Sequence, residues 1–379
     1  MADRESQFVA RLAPGVAPLP AAEWDALAGR QDPFLTHAFL AALEVSGSVG
    51  PDTGWTPVPL LVEEDGRAVA SAPAYLKTHS QGEYVFDHGW ADGFERAGGQ
   101  YYPKLQIAVP FTPVPGRRLL GSRPQHLLAA AEAVVLQNGL SSAHATFITE
   151  AEVAEFGQRG WLLRTGIQYH WHNRGYAGFD EFLAALSSRK RKAVRKERRA
   201  ARAGLEFLVL RGAEIGPAHW DAMWDFYQDT GARKWGRPYL TRAFFDLLGE
   251  MLGDRVLLFI ALRAGTPVAG ALNLLGSDSL YGRYWGTRDE QPFLHFELCY
   301  YQAIDWAIAH GLKWVQAGAQ GEHKLARGYE PVLTHSAHFI ADPGFRRAVA
   351  QFLDGERMII DQEIALLREE LPYRSDASS

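Results

Sequence analysis

The feature that most constrains the fold of this chain is an order of predicted elements that occurs twice. Residues 61–90 and 260–286 both begin with a short apolar strand that ends at a turn containing a glycine, Gly66 or Gly265. In both passages a strand of small residues, a polar turn and an aromatic strand follow, which is a pattern typical of β-hairpins. The repetition indicates duplication rather than one continuous domain.

Each predicted hairpin is followed by a helix and one more strand. The helices are predicted at 124–138 and 296–310, and each ends at a glycine, which is the usual residue just past a helix end. The strands that follow are predicted at 143–148 and 313–319. The expected fold is therefore α/β, with two tandem domains that each contain a mixed, twisted sheet flanked by helices.

The predicted domain boundaries follow from this repeat. The first domain covers 1–156, the second covers 160–340, and helical spacing of apolar residues predicts a closing C-terminal helix at 343–372. The single cysteine, Cys299, cannot form an internal disulfide, which fits a reducing compartment. The N-terminal residues show no apolar signal segment. We therefore expect a cytoplasmic protein, with peripheral contact at the inner membrane as an open alternative.

Several long phrases of the sequence resemble one bacterial family. They include GIQYHWHNRGYAGFDEFLAALSSRKRKAVRKERR at 166–199, PFLHFELCYYQAIDWAIAHG at 292–311 and AGAQGEHKLARGYEPV at 317–332. They resemble the FemAB-like, or peptidoglycan biosynthesis/recognition, family of the GCN5-related N-acetyltransferase (GNAT) superfamily, and the resemblance covers nearly the whole chain. The resemblance implies two tandem GNAT domains and an enzyme that transfers an acyl group.

The resemblance also implies classes of substrate. Some relatives are implicated in the N-acylation of sphingoid bases, as bacterial ceramide synthases. We therefore expect acyl-CoA as the co-substrate, no tightly bound cofactor, and an amine acceptor that is a long-chain base or a cell-envelope precursor. One alternative is a Fem-like transferase that uses aminoacyl-tRNA. The other is a non-catalytic protein that binds envelope precursors or lipids.

Acyl transfer from a thioester to an amine requires a site for the phosphates of the donor. Backbone N–H groups and the helix dipole make the start of a helix suitable for such a site. The turn at 287–296 precedes the second domain's helix but lacks a glycine-rich loop. The corresponding first-domain turn offers Gly116, Arg117 and Arg118, whose guanidinium groups suit phosphate. A proline-rich loop with solvated arginines is the alternative, and either domain remains a candidate for the donor.

The loop after the second domain's last predicted strand concentrates polar side chains. Glu322, His323, Lys324 and Arg327 follow a strand end made of small residues. Imidazole has the side-chain pKa closest to neutral pH, so we predict that His323 accepts a proton and that Glu322 orients it. Lys324 and Arg327 are predicted to stabilise negative charge on the oxyanion or on phosphate. A polar surface turn is the alternative interpretation.

The start of the helix at 296–310 holds a second pair of candidates for catalysis. His295 and Glu297 lie there, although a first-turn acid also stabilises a helix through its dipole. The acceptor is predicted to contact Arg283, Tyr284 and Trp235. Two further carboxylates are predicted on one face of a first-domain strand, where they could bind an amine or be solvated: Glu83 and Asp87.

The segment 187–202 is strongly basic, although the chain carries a formal net charge of −5. We predict a helix, in which Arg191 and Lys192 contact the phosphates of the donor. The alternatives are an anionic membrane surface, tRNA, which is less favoured because aromatic residues are absent from the segment, or a solvated face. His170 and His172 lie two residues apart, but no third ligand follows from the sequence, so no metal site is predicted.

Overall fold

The computed structural model of the chain describes residues 7–234, 238–318 and 321–374, apart from the side chains of 231–234 and of Glu322. The strands, in chain order, are β1 (Phe8–Leu12), β2 (Trp55–Pro57), β3 (Leu60–Glu64), β4 (Arg67–Ala72), β5 (Ala74–Lys77), β6 (Lys104–Ile107), β7 (Leu120–Gly121), β8 (Ser142–Ile148), β9 (Leu162–His172), β10 (Glu206–Arg211), β11 (Val256–Arg263), β12 (Thr266–Leu275), β13 (Ser279–Thr287), β14 (Trp314–Gln316) and β15 (Tyr329–Ile340).

The helices alternate with these strands along the chain. They are α1 (Ala21–Ala28), α2 (His37–Val45), α3 (His88–Arg96), α4 (Pro124–Gln137), α5 (Glu150–Gln158), α6 (Phe179–Ala185), α7 (Ser188–Arg202), α8 (Pro217–Lys234), α9 (Arg242–Leu252), α10 (Leu294–Phe296), α11 (Gln302–Ala309) and α12 (Pro343–Glu369), with a π-helical turn, Glu297–Tyr301, between α10 and α11. Across 7–234, 238–318 and 321–374, no helix is both long enough and apolar enough to span a bilayer.

The chain divides into two compact units. The first unit comprises Met1–Gly166 and Leu333–Asp361, and the second comprises Ile167–Val332 and Gln362–Ser379. The strands β9 and β15 and the helix α12 each carry the chain from one unit to the other. The division differs from the predicted boundaries because the second half of β15 groups with the first unit. The predicted C-terminal helix is present as α12.

In the first unit, β1, β3, β4 and β7 form a four-stranded sheet. A second set of strands follows the order β15, β8, β6, β5 and β2, in which only β6 and β8 are parallel. Apolar residues of β6, β8 and α4 pack together in the core of the first unit, among them Leu105, Ala143 and Leu128. The helix α4 begins with a proline, which suits the first turn, and ends before Gly139, whose φ is +62°.

In the second unit, β10, β11, β12 and β13 are antiparallel neighbours, β14 is parallel to β13, and β9 is antiparallel to β14. The helices α7 and α11 and the π-helical turn cover one face, where Val194, Leu298 and Ile304 enter the core. The helix that precedes β14 ends before Gly311, whose φ is +67°. The predicted order of hairpin, helix and strand is therefore present in this unit.

Both predicted hairpins form, and their turns have the same backbone geometry. Asp65 and Gly66 join β3 to β4 with φ values of 50° and 79°, and Ala264 and Gly265 join β11 to β12 with φ values of 50° and 76°. Positive φ at both central residues is the mark of a two-residue type I′ turn, which matches the twist of the paired strands. The prediction of turns at Gly66 and Gly265 is confirmed.

The prediction of an aromatic strand near residues 81–88 is wrong. The chain takes left-handed backbone angles at Gly82 (φ 82°) and at Tyr84 (φ 60°), which an extended strand excludes. The helix α3 begins soon afterwards, at His88, and β6 takes the place next to β5 instead. Glu83 and Asp87 therefore do not share a strand face.

Candidate functional site

The strands β13 and β14 of the second unit begin as a pair and then separate. They pair in parallel at Ser279 with Trp314, Leu280 with Val315, and Tyr281 with Gln316. Beyond these pairs β13 continues to Thr287, whereas β14 ends at Gln316. A cavity of about 90 Å³ opens where the strands part. We call it the cleft; the residues that line it include Asn273, Gly282, Arg283, Tyr284, Trp285, His295, Cys299 and Gly318.

A β-bulge lies on the wall of the cleft. Leu272 pairs with Tyr284 and Asn273 pairs with Gly282, so Arg283 is an extra residue in β13. A bulge disrupts the ladder locally and bends the strand that carries the extra residue. The predicted substrate residues Arg283 and Tyr284 both line the cleft at this bulge.

The predicted anion site at the helix start holds an acidic side chain. Asp289 accepts a hydrogen bond from the backbone N–H of Gln291 at 3.0 Å, and its other carboxylate oxygen lies 2.8 Å from the guanidinium Nε of Arg263. Phe293 then takes a left-handed conformation, with φ of 63°, immediately before α10. A phosphate at this turn would have to lie beside the Asp289 carboxylate.

His295 is the predicted catalytic residue that lines the cleft. It follows the first residue of α10, and its ring lies 4.5 Å from the Trp285 ring and 5.2 Å from the Tyr300 ring, between centroids. The π-helical turn directly after α10 is a distortion that often marks functional sites. An imidazole half-buried beside the bulge is suitably placed to accept a proton from a nucleophile in the cleft.

Glu297 has a different environment from the one predicted. Its side chain is fully buried, and its oxygens accept hydrogen bonds from the guanidinium groups of Arg198 and Arg202 and from the amide of Gln302, at 3.1–3.3 Å. A carboxylate that accepts hydrogen bonds from two guanidinium groups is held in a fixed position. The prediction that Glu297 faces the thioester as a base does not fit these contacts, which join the π-helical turn to α7.

The loop after β14 contains the other predicted catalytic residues. His323 is exposed, and its Nε2 lies 2.8 Å from the hydroxyl oxygen of Tyr300. Lys324 is buried and donates from Nζ to the carbonyl of Gly318, on the cleft wall, at 2.7 Å. Burial lowers the pKa of Lys324 to about 8. The side chain of Glu322 lies outside the described part of the structure, so its predicted contact with His323 stays a prediction.

Arg327 is held by internal contacts. Its guanidinium donates to both carboxylate oxygens of Glu197 at 2.9 Å, to the carbonyl of His323 at 2.6 Å and to the hydroxyl of Tyr301 at 3.1 Å. It also lies 3.5 Å from the centroid of the Phe296 ring. These partners occupy the fork that was predicted to bind phosphate, so Arg327 fixes the loop against α7 instead.

The basic segment forms the predicted helix, α7. Val194 and Ala201 are buried on its inner side, where Glu197 and Arg198 also make their ion pairs. Arg191 donates to the carbonyl of Ala184 at 3.4 Å. The outer side is strongly cationic, and we call it the basic face; its exposed residues are Arg189, Lys192, Arg195, Lys196, Arg199 and Arg202. The predicted contact of Arg191 and Lys192 with donor phosphates stays a prediction.

The equivalent place in the first unit is filled by Arg118. The strands β6 and β8 pair in parallel and then part, as β13 and β14 do, although here the later strand, β8, is the one that continues. Arg118 is 1% exposed, and its guanidinium donates at 2.9 Å to the carbonyls of Val114, Gly116 and Thr146. These contacts do not fit the prediction that Arg118 binds phosphate. Arg117 is exposed. The backbone N–H of Gly116 donates a hydrogen bond to the carbonyl of Phe147.

Glu83 and Asp87 lie in a buried polar cluster of the first unit, not on a solvated face. The Lys104 ammonium lies 3.0 Å from Glu83 and 2.6 Å from Asp87, and the Tyr101 hydroxyl donates to Asp87 at 2.6 Å. Burial raises the pKa of Glu83 to about 7. Burial also opposes ionisation of Asp87, but Lys104 and the neighbouring His144 hold the pKa of that carboxyl well below its usual range.

This cluster continues through two histidines that the sequence interpretation missed. The Nδ1 atoms of His144 and His338 lie 2.7 Å apart, and the outer nitrogens contact the hydroxyls of Ser142 and Ser336. All these residues are buried on β8 and β15. Polar residues at alternating strand positions were the available signal, since Ser142, His144 and Thr146 follow a period of two.

An apolar groove runs between α3 and α12 within the first unit. Its volume is about 820 Å³, within the range of small-molecule sites. Phe86 and Phe352, about half exposed, stand on its walls, and Gly89 and Gly93 leave open space on the side of α3. Arg164 also lines it, with its guanidinium paired to both oxygens of Glu356 at 2.7 Å.

Two sets of candidates remain to be placed. Trp235 lies outside the described residues, so its predicted contact with the acceptor stays a prediction. On β9, His170 is buried, its Nε2 lies 3.2 Å from the amide oxygen of Gln168, and burial lowers its pKa to about 3. Within the described part of the chain, no three His, Cys, Asp or Glu side chains come together in a group that could hold a metal ion.

Comparison with known proteins supports one family and one fold. The profile of the FemAB-like family, described as peptidoglycan biosynthesis/recognition, matches residues 15–375. FemX is similar in structure at 12% identity, with a TM-score of 0.54 over 88% of this chain and 98% of that chain. A conserved protein of unknown function from Bacteroides thetaiotaomicron has 9% identity and a TM-score of 0.54 over 87% of this chain and 99% of that chain.

L-PGS from Bacillus licheniformis is also similar, at 12% identity, with a TM-score of 0.50 over 86% of this chain and 98% of that chain. Comparison with curated proteins found no match. At these identities the structural similarities establish a shared fold. The fold is α/β, with two tandem GNAT-like domains and a C-terminal helix, as the sequence predicted.

Proposed function

The chain belongs to the FemAB-like family, and from that premise we propose that it transfers an acyl group from a thioester to an amine in the cleft of the second unit. One observation carries the proposal: β13 and β14 part beside a bulge, and His295 lines the cavity between them. In the first unit the guanidinium of Arg118 occupies the corresponding place. The second unit is therefore the proposed site of the chemistry.

In this reaction the amine nitrogen attacks the thioester carbonyl, so that a carbon–nitrogen bond forms and the carbon–sulfur bond breaks. His295 takes the proton that leaves the nitrogen, and the departing thiolate takes up a proton. Backbone N–H groups at the Arg283 bulge are proposed to stabilise the negative charge on the carbonyl oxygen. The Lys324 ammonium, held beside Gly318, adds positive charge near the cleft.

The proposed donor is acyl-CoA, which carries the thioester and several phosphates. The basic face of α7 supports a polyanionic donor, because its exposed side chains include Arg189, Lys192, Lys196 and Arg199. A second candidate donor is aminoacyl-tRNA, as in the Fem-like alternative. The Asp289 carboxylate favours this alternative, since it lies at the helix start where a GNAT enzyme would bind the pyrophosphate of coenzyme A.

The proposed acceptor is an amine-bearing cell-envelope precursor or a long-chain amine. The family description supports the first class. The apolar groove between α3 and α12 supports a ligand with an apolar chain. Aromatic side chains line this groove, and glycines leave open space on the side of α3. A protein that binds such molecules without turnover is the remaining alternative.

The proposal is tested by offering both donors to the purified protein. Acyl-CoA and a panel of long-chain and envelope-type amines should give free thiol and an N-acylated product, detected by thiol titration and mass spectrometry. Aminoacyl-tRNA takes the place of acyl-CoA in a parallel reaction. His295→Gln should lower the rate by about a hundredfold or more if His295 accepts the proton. His323→Gln tests the alternative imidazole in parallel.

The outcomes separate the alternatives. Consumption of acyl-CoA only with amine present supports the proposed function, and consumption of aminoacyl-tRNA alone supports the Fem-like alternative. If neither donor reacts while an envelope precursor binds tightly, the protein is a binding protein and the proposal is wrong. If His295→Gln and wild type react at the same rate, proton transfer must be assigned elsewhere, first to His323.

A further inference from the structure

Asn273 has an amide oxygen without a hydrogen-bond donor at the cleft. It lies on β12, is 1% exposed and lines the cavity. Its Nδ2 donates to the carbonyl of Ala271 at 3.1 Å and to the carbonyl of Leu257 at 3.4 Å. Its Oδ1 has no partner among the residues that the structure describes. A buried acceptor left unsatisfied is costly, so such an atom on a residue that lines a cavity calls for a bound donor.

The orientation of this amide is fixed by its surroundings. If the group were turned over, Oδ1 would face the two carbonyl oxygens that now accept from Nδ2, and like partial charges would repel. Asn273 is also paired with Gly282 directly beside the bulge, and a Cβ atom added at Gly282 would lie 3.5 Å from Oδ1. The oxygen therefore stands at the point where the ladder between β12 and β13 is disrupted.

The cavity is large enough for a small polar group of a ligand. Its volume of about 90 Å³ corresponds to roughly three water molecules at ~30 Å³ each. A side-chain amide oxygen accepts hydrogen bonds and donates none, so it selects a group that carries N–H or O–H. His295 lines the same cavity, which places an imidazole and an amide oxygen around one small space.

We propose that Asn273 Oδ1 accepts a hydrogen bond from the amine nitrogen of the acceptor and so holds that nitrogen in the cleft. The inference rests on the proposed function, because it names the residue that binds the nucleophile of that reaction. Two groups around one nitrogen then have separate tasks. Asn273 fixes the position of the nitrogen with one hydrogen, and His295 removes another hydrogen when the carbonyl is attacked.

The test uses the full-length protein and simple probes without any turnover. n-Butylamine is titrated into protein with ¹³C- and ¹⁵N-labelled asparagine, and the Asn273 side-chain Cγ and NH₂ resonances are followed. n-Butyltrimethylammonium, which carries the same charge and chain without an N–H, is the matched probe. We expect butylamine to shift the Asn273 Cγ resonance in a saturable manner and the quaternary probe to leave it in place.

Variants add a second measurement. Asn273→Leu should weaken butylamine binding at least tenfold, whereas Gln316→Leu should leave it unchanged. Gln316 is a suitable control because its amide oxygen also has no partner among the described residues, but it is not a residue of the cleft lining. The wild-type Cγ titration decides the matter even if Asn273→Leu fails to fold.

Three results would overturn the inference: no shift of Asn273 with butylamine, equal shifts with both probes, or equal affinity in wild type and Asn273→Leu. The first result means that ordered water satisfies the oxygen. Failure of the proposed function is a separate outcome. If butylamine binds at Asn273 but no donor reacts, the binding site stands without the chemistry. If Asn273→Leu turns over with an unchanged KM for the amine, the chemistry stands without this contact.

Discussion

Replacing Arg118 with Met tests whether this arginine is a structural part of the first unit. Methionine keeps most of the side-chain volume but removes the guanidinium. Four backbone carbonyls then lose a donor: those of Val114, Gly116, Arg117 and Thr146, at 2.9–3.2 Å. At about 1 kcal/mol for each buried carbonyl left without its partner, the free energy of unfolding should fall by about 4 kcal/mol. In a unit of this size, that loss lowers Tm by roughly 8–16 °C.

The neighbouring arginine provides a matched control. Arg117 is exposed, and the hydrogen bond from its guanidinium to the carbonyl of Leu119 is long at 3.3 Å. Arg117→Met should change the free energy of unfolding by about 0.5 kcal/mol or less. Urea and thermal unfolding followed by circular dichroism compare the two variants. If both shift stability equally, the reasoning is refuted. If Arg118→Met is stable but loses binding of acyl-CoA, the phosphate role predicted from the sequence is right after all.

Three further predictions concern the buried pairs and the basic face. Glu297→Gln should lower the free energy of unfolding by roughly 2–4 kcal/mol, because the buried carboxylate that pairs with the partly buried Arg198 and with the exposed Arg202 is removed. Chemical unfolding measures this loss. An unchanged stability combined with a lost turnover would return Glu297 to the catalytic role. Burial lowers the pKa of His144 to about 3, below its value in the unfolded chain. The contribution of His144 to the free energy of unfolding is therefore complete above about pH 6.5 and declines as pH falls toward 3, by up to ~1.4 kcal/mol per pH unit. A His144→Gln variant whose free energy of unfolding has the same pH slope as that of wild type would contradict this. Reversing the charge of four exposed residues of α7 should weaken binding to vesicles of anionic lipid or to acyl-CoA, and the loss should shrink as salt rises; equal binding at low and high salt would leave only a solvated face. These four are Arg189, Lys192, Lys196 and Arg199.

The second unit could be predicted well because its signals are local. Ala264 and Gly265 turn the chain through a two-residue loop, and the residues on both sides alternate or are uniformly apolar, as a hairpin requires. Gly311 ends the helix before β14 for the same kind of local reason. Lys and Arg are good helix formers, so α7 also followed from composition.

The first unit was harder because its chemistry is buried. Lys77 and Lys104 lie inside with Glu83 and Asp87, whereas charged residues normally lie at the surface. Burial lowers the pKa of Lys77 to about 7, which shows how far this environment departs from that of a surface lysine. Nothing in the spacing of these four residues predicts that their charges meet, because their pairing depends on β5, on β6 and on the loop before α3.

The sequence also could not distinguish between the two helix-start turns as sites for the donor phosphates. The sequence offers Arg117 and Arg118 in the first unit and an acidic turn with Asp289 in the second, and it leaves both domains open for the donor. The two units differ in the structure: Arg118 points its guanidinium at backbone carbonyls where β6 and β8 part, whereas β13 and β14 part around a cavity. A duplicated fold can thus keep the same opening between strands twice, filled by a side chain in one copy and left open in the other. Because the Arg118 charge is used to satisfy carbonyls, an arginine in such a loop indicates a ligand site only where its donors are free. By that criterion the exposed cations of α7 are available to a polyanionic donor, and Arg118 is not.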